Sequence, residues 1–246
     1  YNFLLSQNAN VLISLEEAKR SEISLRQQIL QQKLIYLQEE LNANRLKEFE
    51  AQTKQAEELK ANNKVENPII QEQLTLNTDL SQYLVEQTQK ANTLSQDNLR
   101  ARNVLDSLTQ TQRNIEEQIS ALQGTLVLSR IINQQKQALP TERLIKGLAK
   151  DITNLRVEIF ELSQKRDELY NINSVITKLE SDNKILFDDS ERETLTDILK
   201  EREKILVDLV KTLNSQLNLS NEIESTQKQI ITIGDALQNK LQQQSF

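Results

Sequence analysis

Adjacent carboxylates such as Glu16-Glu17, Glu39-Glu40, Glu57-Glu58, Glu116-Glu117 and Asp188-Asp189 are the groups in this sequence best suited to chemistry. Two carboxylates held side by side can serve as acid and base or bind a hard cation. On an exposed helix face with Lys or Arg three or four residues away, however, they act as solvated members of charge pairs, and that is the reading adopted for all five. Asp182, Asp188 and Asp189 cluster more tightly, but the segment lacks the D-x-[DN]-x-[DN]-G order of a calcium loop. The chain has no His and no Cys. The commonest general base, the thiolate nucleophile and most ligands for zinc, copper, haem and iron–sulfur clusters are therefore missing. Three isolated glycines cannot make a phosphate-cradling loop or a nucleophile elbow. The tyrosines Tyr1, Tyr36, Tyr83 and Tyr170 are too scattered for a base-stacking platform. The sequence thus offers no catalytic, cofactor-binding or metal-binding residues, and the protein is read as not an enzyme.

The elements that would have to position any site are long helices. A 246-residue chain with only 3 Gly and 2 Pro has few turns. Acidic and basic residues, 36 and 30, are interspersed, so no basic stripe forms and nucleic acid is not an expected partner. A thiol-free chain is compatible with an oxidising compartment. The richest apolar stretch, Leu126-Val127-Leu128-Ser129-Arg130-Ile131-Ile132, has an arginine in its middle, so no membrane span is predicted. The sequence starts at Tyr1, contains no Met and shows no export signal, and it is read as cut from a longer, processed protein.

Between residues 3 and 61, apolar residues return at Leu12, Leu15, Ile29, Leu30, Leu34, Leu37, Leu41, Phe49, Ala56 and Leu59, spacings that mark one helical face. The stretch Asn62–Pro68 is the clearest break. The residue before a proline leaves the α region, and Asn67 can cap a helix whose first residue is Pro68, so this is read as the tip of a helical hairpin. From Leu80 to Asn133 a four–three alternation runs without a stutter through Leu84, Gln87, Ala91, Leu94, Asn98, Ala101, Leu105, Leu108, Gln112, Ile115, Ile119, Leu122, Leu126 and Ser129. Such a seam predicts coiled-coil-like packing, with Gln87, Asn98 and Gln112 fixing register at a cost in stability. Leu99, Val104 and Leu128 widen the face beyond a two-stranded rope, as a bundle requires. Gly124 is a tolerated glycine or a local bend, and Pro140 stops or kinks the helix.

A further helix carries Leu144, Leu148, Ile152, Leu155, Ile159, Leu162 and Leu169 to about Tyr170, followed by a break at 171–174 and a short helix over 175–181. The apolar plug Ile185-Leu186-Phe187 sits between turn signals. Ser190 with Glu193 reads as a capping box opening the last helix, whose face is Leu195, Ile198, Leu199, Ile205, Leu206, Leu209, Leu213, Leu217, Ile223, Ile230, Leu237 and Leu241, interrupted by Ser220, Gln227 and Gly234. The expected fold is all-α, with long antiparallel helices in an elongated bundle with coiled-coil-like packing. Residues 1–137 form a long hairpin, and 138–246 form shorter helices and a long C-terminal helix leading towards a membrane domain outside this sequence.

One region says more than its composition. The run from Leu126 to Pro140, LVLSRIINQQKQALP, followed by Leu144 to Leu169, LIKGLAKDITNLRVEIFELSQKRDEL, resembles the periplasmic region of large MscS-family mechanosensitive channels, the potassium-dependent and miniconductance types of Gram-negative bacteria. Leu213–Leu219 and Leu237–Phe246 look like the segment that runs down to the first membrane helix there. Val157 and Ile159 stand where that family often has Leu and Gln. The resemblance, which covers about a third of the chain, implies a porin-like, extramembranous periplasmic domain of an inner-membrane channel involved in osmotic-shock protection.

That domain would act as scaffold or modulator of gating, with the pore in other parts of the polypeptide. The implied partners are the membrane-spanning part of the same polypeptide, further copies in a homo-oligomeric full-length protein, and envelope components. The isolated segment is expected to fold as a monomer, and no cofactor is implied. The rival reading is a cytosolic coiled-coil tether or filament protein that dimerises through the Leu80–Asn133 seam.

Overall fold

The structure is a computed structural model that describes residues 2–62, 67–122, 126–138 and 145–244. Those residues form six helices: α1 (Asn2–Asn62), α2 (Pro68–Leu122), α3 (Leu126–Ala138), α4 (Leu148–Glu168), α5 (Ile172–Asn183) and α6 (Asp189–Gln243). The fold is all-α, as the near-absence of Gly and Pro requires. Two units are described separately: residues 1–45, and residues 46–246.

The first unit is the N-terminal part of α1, in which the apolar face predicted from its spacing exists but is not covered. Leu12, Leu15, Ile29, Leu30, Leu34, Leu37 and Leu41 are all exposed. Periodicity shows that a helix has an apolar side; it carries no information on whether anything lies against it. Further along, Phe49 is buried in the core of the second unit, and Ala56 is half-buried.

In the second unit the break expected before Pro68 is found. Asn67 accepts the Ile69 N–H on its side-chain oxygen at 3.0 Å, and its carbonyl takes the first backbone bond of α2 from Gln71. Residues 63–66, Gly124 and the stop at Pro140 lie outside the described residues.

Helices α2 and α6 form the longest packed pair, and they run parallel. Their bonded partners keep a nearly constant separation: Asn67 with Glu191, Asn77 with Arg202, Gln87 with Gln216, and Asn98 with Glu222 are 124, 125, 129 and 124 residues apart. Helix α4 is antiparallel to both. Its entry at Ile145 bonds Gln227, whereas Leu162 and Leu169 at its far end share a core with Leu195, Leu199 and Leu206. The expected antiparallel relation therefore holds for α4 but not for α2 against α6, because the chain traverses the bundle three times and its first and third passes share a direction.

Two cores fill the second unit. The larger joins Ile70 and Leu84 of α2, Leu155 and Leu162 of α4, Ile176 of α5 and the α6 run from Leu195 to Leu213. The smaller joins Leu108, Ile115 and Ile119 to Ile230, Leu237 and Leu241, with Leu128 and Ile132 of α3. Every seam position from Leu80 to Leu122 is buried or half-buried.

Beyond Leu122 the seam fails. Leu126 is 91% exposed, and Ser129 and Asn133 are exposed with it. On α3 the inward pair is instead Leu128 and Ile132, one turn apart, so the seam of α2 does not carry over in phase; residues 123–125 between the two helices lie outside the described residues.

Helix α4 starts later than expected, at Leu148. Gly147 before it takes the left-handed conformation (φ 80°) that costs a side-chain-bearing residue. Helix α5 is longer than expected because Asn171 caps it, accepting from the Ser174 N–H at 3.2 Å. The capping box at the start of α6 lies two residues before the predicted one. Asp188 accepts the Glu191 N–H at 2.8 Å and Glu191 accepts the Asp188 N–H at 3.2 Å, with Ser190 inside the first turn. Of the apolar plug, Phe187 is buried, Ile185 half-buried and Leu186 exposed.

Candidate functional site

The carboxylate pairs singled out by sequence do not converge. Glu16, Glu17, Glu39, Glu40, Glu57, Glu58, Glu116, Glu117, Asp188 and Asp189 are exposed, and so is Asp182. Asp188 is occupied in capping α6. Among the described residues no group of three or more Asp or Glu side chains is arranged to hold a metal ion.

What the fold does bring together is a line of polar side chains between α2 and α6. At its lower end Arg202 donates through Nε to Asn77 Oδ1 at 2.8 Å, through Nη1 to Gln73 Oε1 at 2.8 Å and through Nη2 to the Gln73 carbonyl at 3.0 Å. Asn77 passes the link back to α6 by donating to the Ile198 carbonyl at 2.8 Å. Gln73 and Asn77 are buried, and no carboxylate among the described residues is paired with Arg202. Burial of the guanidinium holds its pKa below the ordinary arginine value. A charge placed among neutral acceptors in this way is satisfied in geometry but not in solvation.

About three turns beyond Asn77 on α2, and four beyond Arg202 on α6, buried Gln216 donates to the carbonyl of Gln87 at 2.7 Å and to its Oε1 at 3.0 Å. Asn98 then donates to Glu222 at 2.8 Å, with Arg102 on the same carboxylate at 3.1 Å. Gln87 and Asn98 are thus the register-setting polar seam residues expected from sequence, and each bonds across to α6. Arg202 was not legible as such. Its position, four after Ile198 and three after Leu199, lies on the apolar face of α6, and that spacing was the available signal.

Beside this line an open groove of about 750 Å³ lies between α2, α4 and α6, lined by Tyr83, Glu86, Lys90, Asp151, Glu158 and Ser220 among others. The Tyr83 hydroxyl donates to Glu158 across α2 and α4. Burial first, and then the Glu158 carboxylate, push the Tyr83 phenol well above its ordinary range. Chemically, the arrangement ties three helices in a fixed register.

No established protein-family profile matches the chain. The chain is 50% identical over all 246 residues to an uncharacterized MscS family protein of Haemophilus influenzae, and 32% identical over 231 residues, 94% of its own length, to the mechanosensitive channel MscK of Escherichia coli. Its homologues are MscS-family proteins. The resemblance in the Leu126–Leu169 region thus extends across nearly the whole chain. The chain spans only 22% and 21% of the length of these two MscS-family relatives. No helix among the described residues is long and apolar enough to cross a membrane.

Proposed function

We propose that this chain is an extramembranous, periplasmic helical domain of an MscS-family mechanosensitive channel, acting as a scaffold that modulates gating while the pore is formed elsewhere in the polypeptide. The observation that carries the reading is the 32% identity to MscK over 94% of the chain, in a set of helices none of which is built to span a bilayer. A thiol-free composition suits an oxidising compartment. The polar cross-links from Asn67 to Glu222 support a scaffold that holds its helices in register. Osmotic-shock protection by an inner-membrane, homo-oligomeric channel belongs to the same proposal.

The test is a reporter active only after export, fused directly behind Phe246 in the intact gene. Activity there is the expected outcome. Silence, with a cytosolic reporter active at the same site, overturns the periplasmic reading and favours a cytosolic tether.

A further inference from the structure

The groove between α2, α4 and α6 carries more negative charge than its own residues neutralise. Glu86, Asp151 and Glu158 line it, with Lys90 as the cation among the lining residues. The side chains of Glu86, Asp151 and Lys90 make no hydrogen bond or ion pair among the described residues, and Glu158 is met by the neutral Tyr83 hydroxyl. The floor adds acceptors that the fold does not use. Gln216 and Ser220 are only 4% and 1% exposed, and both line the groove. Gln216 spends its Nε2 on Gln87, and the Ser220 hydroxyl bonds to no described residue, so Gln216 Oε1 and Ser220 Oγ are left for whatever enters. A volume of about 750 Å³ is that of a small-molecule site.

The spacing of the carboxylates selects the occupant. Helices α2 and α4 are antiparallel, with Tyr83 level with Glu158. At 1.5 Å per residue Glu86 then stands about 4.5 Å further along the groove, and Asp151 about 10.5 Å. Stations so far apart do not close on one metal ion, and among the described residues no group of acids is arranged to do so. What meets all three is a flexible chain with a positive charge at each station. An extended chain advances about 1.2 Å per bond, so a triamine whose nitrogens are four and five bonds apart sets its charges at about 0, 5 and 11 Å. Its middle ammonium comes level with Gln216, which bonds Gln87 next to Glu86. Its methylenes lie along Leu155, which shares one face of α4 with Asp151 and Glu158 and lines the groove between them.

We propose that this groove is a binding site for a linear polyamine, held by Glu158, Glu86 and Asp151 in turn and by the Gln216 and Ser220 oxygens on its floor. Lys90, level with Asp151, limits the affinity from the opposite wall.

The test titrates spermidine into the 246-residue chain by calorimetry. One saturable site per chain is expected, weakening as salt is raised. Glu86→Gln and Asp151→Asn should each weaken binding about tenfold with helical circular dichroism unchanged, because both side chains are exposed. Ser220→Ala should weaken it several-fold, and Lys90→Gln should tighten it. Putrescine, whose two nitrogens are about 6 Å apart, should bind at least about tenfold more weakly than spermidine. Asp182→Asn, exposed on α5 outside the groove, should leave binding unchanged. Absence of saturable binding overturns the proposal, as does binding that Glu86→Gln and Asp151→Asn leave intact. Equal weakening by Asp182→Asn and Asp151→Asn overturns it in favour of a general attraction to an acidic chain. Displacement of spermidine by an equal concentration of magnesium or putrescine overturns it in favour of a site for any small cation.

Discussion

Replacing Arg202 with methionine keeps most of the stem volume and removes the guanidinium. Two buried acceptors, Asn77 Oδ1 and Gln73 Oε1, then lose their donors; the Gln73 carbonyl keeps its helix bond. Each orphaned acceptor costs about 1–3 kcal/mol. Arg202 is half-buried, so water reaches part of the vacated space and the lower half of that range applies, about 3 kcal/mol in all. Against this stands the desolvation of a cation without a carboxylate partner, seen in its lowered pKa, whose relief returns about 1 kcal/mol. The net expectation is a loss of about 2 kcal/mol.

The lowered pKa fixes the sign at other pH values. A base whose folded pKa lies below its unfolded one penalises folding wherever both states are protonated, and the penalty fades only as pH rises through the folded value, so it is constant in the neutral range. With an m-value of about 3 kcal/mol/M the urea midpoint followed by circular dichroism should fall by about 0.7 M. The companion Arg202→Met/Gln73→Leu/Asn77→Leu chain removes the acceptors together with the donor and should recover most of the loss. An Arg202→Met chain as stable as wild type, or a triple variant less stable than the single one, would refute the reasoning.

Tyr83→Phe should cost about 1 kcal/mol at neutral pH through the bond to Glu158. A phenol whose folded pKa is raised loses stability for the fold as pH climbs past its ordinary value of 10.0, because only the unfolded state ionises there; the wild type should weaken by up to about 1.4 kcal/mol per pH unit in that window, and the phenylalanine variant should lack that component. Gln227→Ala removes both bonds to the Ile145 backbone, at 2.7 and 3.3 Å, and is expected to lower stability by about 1–2 kcal/mol and to speed hydrogen exchange at the Ile145 amide. Glu180 is 8% exposed and receives Arg192 at 2.6 Å and the Phe187 N–H at 3.1 Å; Glu180→Ala should cost about 2 kcal/mol in urea unfolding, a figure held down because the Arg192 side chain is 37% exposed.

Much of the fold was legible because burial against a neighbour writes itself into spacing. Leu148, Ile152, Leu155 and Leu162 on α4, and the α6 face from Leu195 to Leu241, were readable from sequence and are buried, apart from half-buried Leu217. Gln227 looked like an interruption in that face; it is there to bond the turn before α4. The change of inward face between α2 and α3 was not legible, since a heptad count runs on unbroken from Leu122 to Leu126 and Asn133 while Leu128 and Ile132 are the buried residues. Nor was the parallel relation of α2 and α6, which depends on how many times the chain crosses the bundle. Arg202 escaped notice because a cation bonded only to amide oxygens leaves no complementary acidic residue in the sequence. The uncovered face of α1 reads the same as a covered one, so its exposure is information that only the structure supplies.

The parallel setting of α2 and α6 also decides how the bundle answers to a pull. Pro68 begins α2 at one end of the pair and Gln243 closes α6 at the other, so tension applied between those points acts as on a lap joint. The bonds at Arg202, Gln216 and Asn98 would be strained together in shear, whereas an antiparallel pair tugged from one end peels open link by link.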